Sequence, residues 1–382
     1  MTTGKGYIWP TEWTEFRDPF SGVHIRQLTN YRAHSAHLYF TENGWYDENR
    51  RLLFISDREN RTNLFSLCMS TGEITQLTDL DEKITNINPC LNPEGTKAYF
   101  STGEKVYAVD LYSLQLDKLY EETSTFRVGQ LSCTADGQFL ITALSENMSH
   151  RFRVDLGNGY VGHREIMEAK PHSKIIKIPT NGGEPEVVFE EQNWIGHINT
   201  SPTQSHLITF CHEGPWDLVD HRIWGFDLNT KDVWKIRPRI EAHEKVGHEY
   251  WHADGIHLGY HGFRENGIGF FGKTRYDNTE QEEIEFPFRN WHAQSDGFTQ
   301  VVVDGRTPSD SIIYWKREHG SFSHAKLLCQ HRCSFHSQKV HAHPRFSPDG
   351  TQLLFTSDKN GYGNLYLVDI PKDVDSLPDY KV

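Results

Sequence analysis

Apolar positions along the chain fall in short runs rich in β-branched and aromatic residues, and helical periodicity is nearly absent. Turns of Gly, Asp, Asn and Pro separate the runs. The clearest stretch is Phe346-Ser-Pro-Asp-Gly350, followed by a strand over 352–356, a turn over 357–361 and a strand over 364–369. Related stretches begin near residues 48, 94, 136, 203, 254 and 296, which makes seven units with the last one. Each unit reads as strand, turn, strand, turn, strand. A single unit cannot bury both of its faces, so the pattern predicts an all-β fold, a seven-bladed β-propeller. No linker or low-complexity tract divides it, and one domain over 1–382 is expected. The last unit, 346–371, lacks an outermost strand. His24-Ile-Arg-Gln-Leu-Thr29 echoes Ile74-Thr-Gln-Leu-Thr78, the outermost strand of the first unit. The segment 22–30 is therefore expected to complete the C-terminal blade, sealing the ring and covering two exposed sheet edges.

Composition narrows the function classes. With 36% hydrophobic residues over 382 positions the chain is globular. Its 39 Lys and Arg against 52 Asp and Glu leave a net charge of −13, no electrostatic footprint for nucleic acid or an anionic membrane. No apolar stretch is long enough to span a bilayer, and residues 1–15 lack the apolar core of a secretory signal; a cytoplasmic protein is expected. The six cysteines form no CxxC pair, so reduced thiols are expected rather than a disulfide framework. The chain contains no GxSxG, GxxxxGK[ST] or HExxH, and no GxGxxG after a strand, which argues against a serine hydrolase and a nucleotide-binding loop.

Histidine is abundant, at 22 residues, and its clustering carries the chemistry. One segment runs from Phe210 to Trp224 and holds His212, Glu213, Asp217 and Arg222. A second is Val246-Gly-His-Glu-Tyr-Trp-His252, a third Gln338-Lys-Val-His-Ala-His-Pro344, and a fourth Asn290-Trp-His-Ala293. All are expected at the start or end of inner strands, facing the central channel. On an extended strand His341 and His343 share a face, and Gln338 can turn in through a bend. With His292 from the neighbouring blade they form a candidate divalent-metal site suited to Mn²⁺, with Zn²⁺, Ni²⁺ or Ca²⁺ as alternatives. The competing reading is a pair of hydrogen-bonded core histidines. Likewise Arg222 could be an ion-pair partner of Asp217 or Asp220, and His248 an ordinary buried histidine. His34 and His37 could reach the channel mouth.

These segments resemble oligogalacturonate lyases of polysaccharide lyase family 22. The family's C-H-E-G-P-x-D-L-V-D-x-R-x-W run is similar to Cys211–Trp224, its T-H-E-F-W to Gly247-His-Glu-Tyr-Trp251, and its Q-x-x-H-P-H-P to Gln338–Pro344. The departures are Gly247, Ala342 and Asn290-Trp291, where the family carries Thr, Pro and Cys-Ser. The resemblance implies a propeller holding Mn²⁺ through His292, Gln338, His341 and His343, with His248 as base and Arg222 neutralising a substrate carboxylate. His212, Glu213 and Tyr250 are candidate substrate contacts, with bracing of the pocket the alternative for His212 and Glu213, and the acid is either water or a tyrosine such as Tyr250. The implied reaction is β-elimination from a 4-linked uronate oligosaccharide. Loss of the C5 proton is eased when the adjacent carboxylate is neutralised, and a 4,5-unsaturated uronate forms. The alternatives are a lyase of the same fold for another uronate oligosaccharide, and a non-catalytic propeller of the TolB or WD40 kind.

Overall fold

Asp-Gly turns place the strands. In the computed structural model, which describes residues 3–123, 125–157, 159–305 and 310–381, Asp254 Oδ1 accepts from the backbone N–H groups of Ile256 and His257, both at 3.0 Å. Gly255 follows at φ +70°, where an added Cβ would lie 2.1 Å from Thr203 Oγ1, so only glycine fits.

Such turns join the inner strands to their neighbours, and seven antiparallel sheets result. The first blade runs outward through Ser35–His37, Arg51–Ser56, Asn63–Cys68 and Ile74–Gln76. The next five begin with the inner strands Asn88–Leu91, Phe126–Cys133, Ile195–Thr200, Lys245–Trp251 and Asn290–Asp296. The seventh contains Arg345–Phe346, Gln352–Ser357 and Asn364–Asp369. This is the seven-bladed propeller expected from the repeat. Apolar side chains fill the spaces between blades. Leu53, Leu64 and Leu77 of the first blade pack with Ala98, Phe100 and Val109 of the second. Val302, Ile312 and Tyr314 of the sixth pack with Leu353, Phe355 and Ile25 at the seam.

Both chain ends build that seam. His24–Gln27 pairs with the third strand of the last blade, Ile25 opposite Val368 and Gln27 opposite Tyr366, as expected from sequence. A second attachment was not anticipated: Ile8–Trp9 adds to the outer edge of the first blade, with Ile8 opposite Thr75. Arg58, buried, pins the intervening stretch by an ion pair to Glu12 at 2.9 Å and by lying 5.0 Å over the Trp9 ring.

Two local features aim side chains into the channel. The inner strands of blades three to six each carry a register shift, and such bulges re-aim the extra residue. In blades four and five the shift follows a Gly-His pair, Gly196-His197 and Gly247-His248, and both histidines take positive φ, 47° and 53°. The third blade also carries a long insertion between its second and third strands, with a short helix His163–Ala169. That insertion forms one wall of the cavity described below.

Candidate metal centre and active site

A cavity of about 1590 Å³ opens at the channel, larger than the roughly 300–1,000 Å³ of ordinary small-molecule sites. His197, His248, His292, His341 and His343 line it, together with Tyr39, Glu213 and Arg222. Five rings close a circuit at its base. Centroid separations are 4.7 Å from His248 to His292, 4.2 Å to His343, 5.0 Å to Tyr39, 5.4 Å to His197 and 6.1 Å back to His248. Phe40, fully buried, plugs the circuit, touching four of these rings, and Arg345 donates to its carbonyl.

One arc of the circuit is suited to a cation. A ring nitrogen from each of His292, His341 and His343 lies within 4.8 Å of the other two, and all three side chains are buried. That spacing matches donors around one ion, about twice a metal–nitrogen bond of roughly 2.1 Å. His292 Nδ1 donates to Asp304 Oδ2 at 2.7 Å, which fixes its tautomer and leaves Nε2 for the cavity. Asp304, itself fully buried, stays ionised: burial raises its pKa, but the neighbouring His292 more than offsets this. Burial, then the nearby His292, holds His343 well below the usual imidazole range, so it is neutral. Its Nε2 is buried without a hydrogen-bond partner among the described residues. His341 and His343 do not sit on a strand, contrary to expectation. They follow a single turn of 3₁₀ helix, Gln338–Val340, and His343 adopts φ 44°. The loop, rather than a pleat, brings their nitrogens together.

Gln338 lines the same cavity. Its Nε2 donates to the Tyr160 hydroxyl at 2.7 Å and its backbone N–H to Gly157 O at 3.1 Å. The third-blade insertion thus braces the loop of His341 and His343 from across the ring through the amide nitrogen of Gln338.

His248 stands beside this arc. Its Nδ1 lies 2.9 Å from His261 Nε2, so Nε2 is the nitrogen outside that contact. Burial, then the nearby His292, lowers its pKa far below the ordinary value, and the imidazole is neutral. The Trp216 ring meets it edge-on at 4.7 Å. Arg222, also buried, pairs with Glu213 through Nη1 at 2.8 Å and Nη2 at 3.3 Å. His163 and His197 reach the same carboxylate at 3.3 and 3.2 Å. Burial alone would raise the Glu213 pKa; Arg222 and the two histidines hold it well below the carboxylate range. Arg222 therefore partners Glu213, and neither Asp217 nor Asp220.

Two residues expected at the substrate lie elsewhere. His212 is clamped outside the cavity between Glu191 at 2.7 Å and Asp220 at 2.6 Å, at the end of the second strand of blade four. The Phe210–Trp224 segment is thus the link between second and third strands, not an inner strand. Burial opposes charging His212, yet the bonds to Asp220 and Glu191 raise it to about 9. A folded-state pKa above the unfolded value stabilises fully below about pH 6.5, and the effect fades as pH rises through 9. His212→Gln is expected to lose on the order of 2 kcal/mol near pH 6 and much less above the folded pKa. Thermal melts across that range check this; a pH-independent difference would mean an uncharged bond. Tyr250 is buried, and its hydroxyl donates to Ser295 Oγ at 2.8 Å, facing away from the cavity. It is not placed to act as an acid.

Several cavity residues were not singled out from sequence: Tyr39, His197, His261 and the supporting Asp304. The Gly-His pair shared by blades four and five was the available signal for His197. His34 and His37 do line the cavity.

The fold and this site define a propeller whose channel gathers imidazoles, an arginine and a carboxylate, a class suited to metal-assisted chemistry on an anionic ligand. The model of the oligogalacturonate lyase family matches residues 1–274, and the chain belongs to that family. It is 25% identical to an oligogalacturonide lyase of Pectobacterium atrosepticum, over 97% of this chain and 99% of the relative. An oligogalacturonate lyase of Dickeya dadantii is 25% identical over 94% and 96% of the two chains. Among solved structures, an oligogalacturonate lyase in complex with manganese superposes with a TM-score of 0.88 at 25% identity, covering 97% of this chain and 100% of the other. Family membership sets aside the non-catalytic scaffold. No helix among the described residues is long and apolar enough to cross a membrane.

Proposed function

We propose that this protein cleaves 4-linked uronate oligosaccharides, oligogalacturonates first, by metal-dependent β-elimination. The carrying observation is the convergence of His292, His341 and His343 within 4.8 Å, in a cavity that also holds a neutral His248. The donor set fits a divalent cation: three imidazoles, a carboxylate orienting His292, and the amide oxygen of Gln338 in reach of the same cavity. Manganese is the first choice, given its presence in the complex of the related lyase. The bound cation supplies positive charge that neutralises the substrate carboxylate and makes C5–H acidic.

The protein's own groups do the rest. Arg222 presents a second, permanent positive charge at the cavity wall, held in place by Glu213. His248 accepts the C5 proton at Nε2. For that nitrogen to carry a lone pair, Nδ1–H donates to His261 Nε2, which requires His261 to hold its own proton on Nδ1, the nitrogen 3.2 Å from the Asn290 side-chain amide. Trp291 stacks on Tyr160 at 6.2 Å and 11°, forming an apolar wall for a sugar face. The overall charge of −13 repels an anionic substrate, and Arg222, Lys245, Arg289 and Lys339 lining the cavity are matched by Glu42, Asp155, Glu213 and Asp217, so a bound cation would supply the net positive charge there. The test is ultraviolet absorbance of the unsaturated uronate on mixing the protein with digalacturonate and Mn²⁺. A rise that disappears with chelator is expected. No absorbance with any uronate oligomer, at any metal loading, overturns the reading.

A further inference from the structure

β-Elimination needs two proton transfers, and the groups considered so far perform one. The C4–O4 bond breaks with its electron pair going to O4, which departs as the anomeric hydroxyl of the neighbouring sugar. A sugar alkoxide is a poor leaving group, so a positioned acid accelerates the step. In a galacturonate chair, H5 and O4 are both axial on opposite ring faces. The acid must therefore stand across the sugar from the base, with the carboxylate held between them.

The five-ring circuit sets a phenol and the base at the two ends of one arc. Starting from His248 its order is His292, His343, Tyr39 and His197. Tyr39 is not adjacent to His248. His197 separates them on one side, and the His292–His343 arc on the other. A carboxylate held at that arc would have His248 beside one end and Tyr39 beside the other. Tyr39 lines the cavity, and among the described residues its hydroxyl makes no hydrogen bond, unlike that of Tyr250. Its ring is fixed edge-on by His343 at 5.0 Å and by His197 at 5.4 Å. A phenol is protonated at neutral pH and can donate.

We infer that Tyr39 is the general acid that protonates the leaving O4. This rests on the lyase reading above. His248 takes the C5 proton, the C–H electron pair becomes the C4=C5 bond, the C4–O4 pair passes to O4, and the Tyr39 O–H proton goes to O4. Water returns the proton to the Tyr39 oxygen and removes the one on His248, so the net transfer is from C5 to O4.

The experiment compares two substrates, digalacturonate and a methyl 4-deoxy-4-fluoro-galacturonide. Fluoride leaves without a proton, and both yield an unsaturated uronate. Tyr39→Phe is expected to lose about 10²–10⁴-fold in turnover of digalacturonate. It should keep fluoride elimination within a few-fold of wild type and bind the same amount of Mn²⁺. Equal losses on both substrates, or no loss on either, overturn the inference. If Tyr39→Phe does not fold, wild type alone decides: comparable rates for the two leaving groups support an acid at O4, and a strong preference for fluoride overturns it. Failure of wild type to turn over either substrate counts instead against the lyase reading.

Discussion

His248→Ala is expected to abolish elimination, with a loss of about 10²–10⁴-fold or more in turnover, while metal content and fold are unchanged. The reasoning is geometric. His248 is buried beside His292, its Nδ1 is engaged by His261 at 2.9 Å, and its Nε2 is left to the cavity. The ligand arc does not depend on His248, since Phe40 packs on His292 and His343 independently of it. The checks are absorbance of the unsaturated product for turnover and elemental analysis for metal. Retained turnover removes His248 as base, and lost metal with lost turnover makes it a ligand. His261→Ala is the informative companion. It leaves His248 in place but takes away the acceptor for Nδ1–H, so an intermediate loss is expected.

The second large effect is expected at the ligand arc. His343→Ala should weaken metal binding by at least about 10²-fold and lower turnover in proportion, because one of three converging imidazoles is lost. Asp304→Asn keeps all three imidazoles and removes only the charged acceptor of His292 Nδ1–H, so a smaller loss of about 10–100-fold is expected. Titration with Mn²⁺ followed by calorimetry ranks the two variants. If His343→Ala binds Mn²⁺ as wild type does, the ion sits elsewhere, and the alternative reading of His341 and His343 as core histidines regains force.

Much of this architecture was legible in the chain, and the exceptions share a cause. Asp-Gly turns and short alternating strands are local, so the seven units could be read directly, although each start read from sequence falls at or near the turn after a blade's inner strand and not at the blade's first residue. The likeness of residues 24–29 to 74–78 exposed the seam pairing, because an outer strand has the same apolar face wherever it docks. The histidines of the HxH run stood out by spacing, although a loop rather than a strand brings them together. What sequence could not separate was orientation. His212 and His248 both sit in His-Glu motifs, yet one is clamped by carboxylates outside the cavity and the other faces into it. Glu213 and Arg222 were picked out, but their mutual pairing was not. Tyr39 belongs to an aromatic pair that looks like core, and only the closed ring brings it against His343 from the last blade. Such contacts join residues some three hundred positions apart, where no local rule reaches.

The cation-ready arc spans the sixth blade and the loop leading into the seventh, and the seventh is finished by a strand from the start of the chain. A ribosome making this protein therefore releases most of the blades before His341 and His343 emerge, and the clasp between the first and last strands can form only after them. Apoprotein should come undone first at that clasp, so that a shortage of the ion shows itself as proteolysis at the two termini before any blade in the middle is touched.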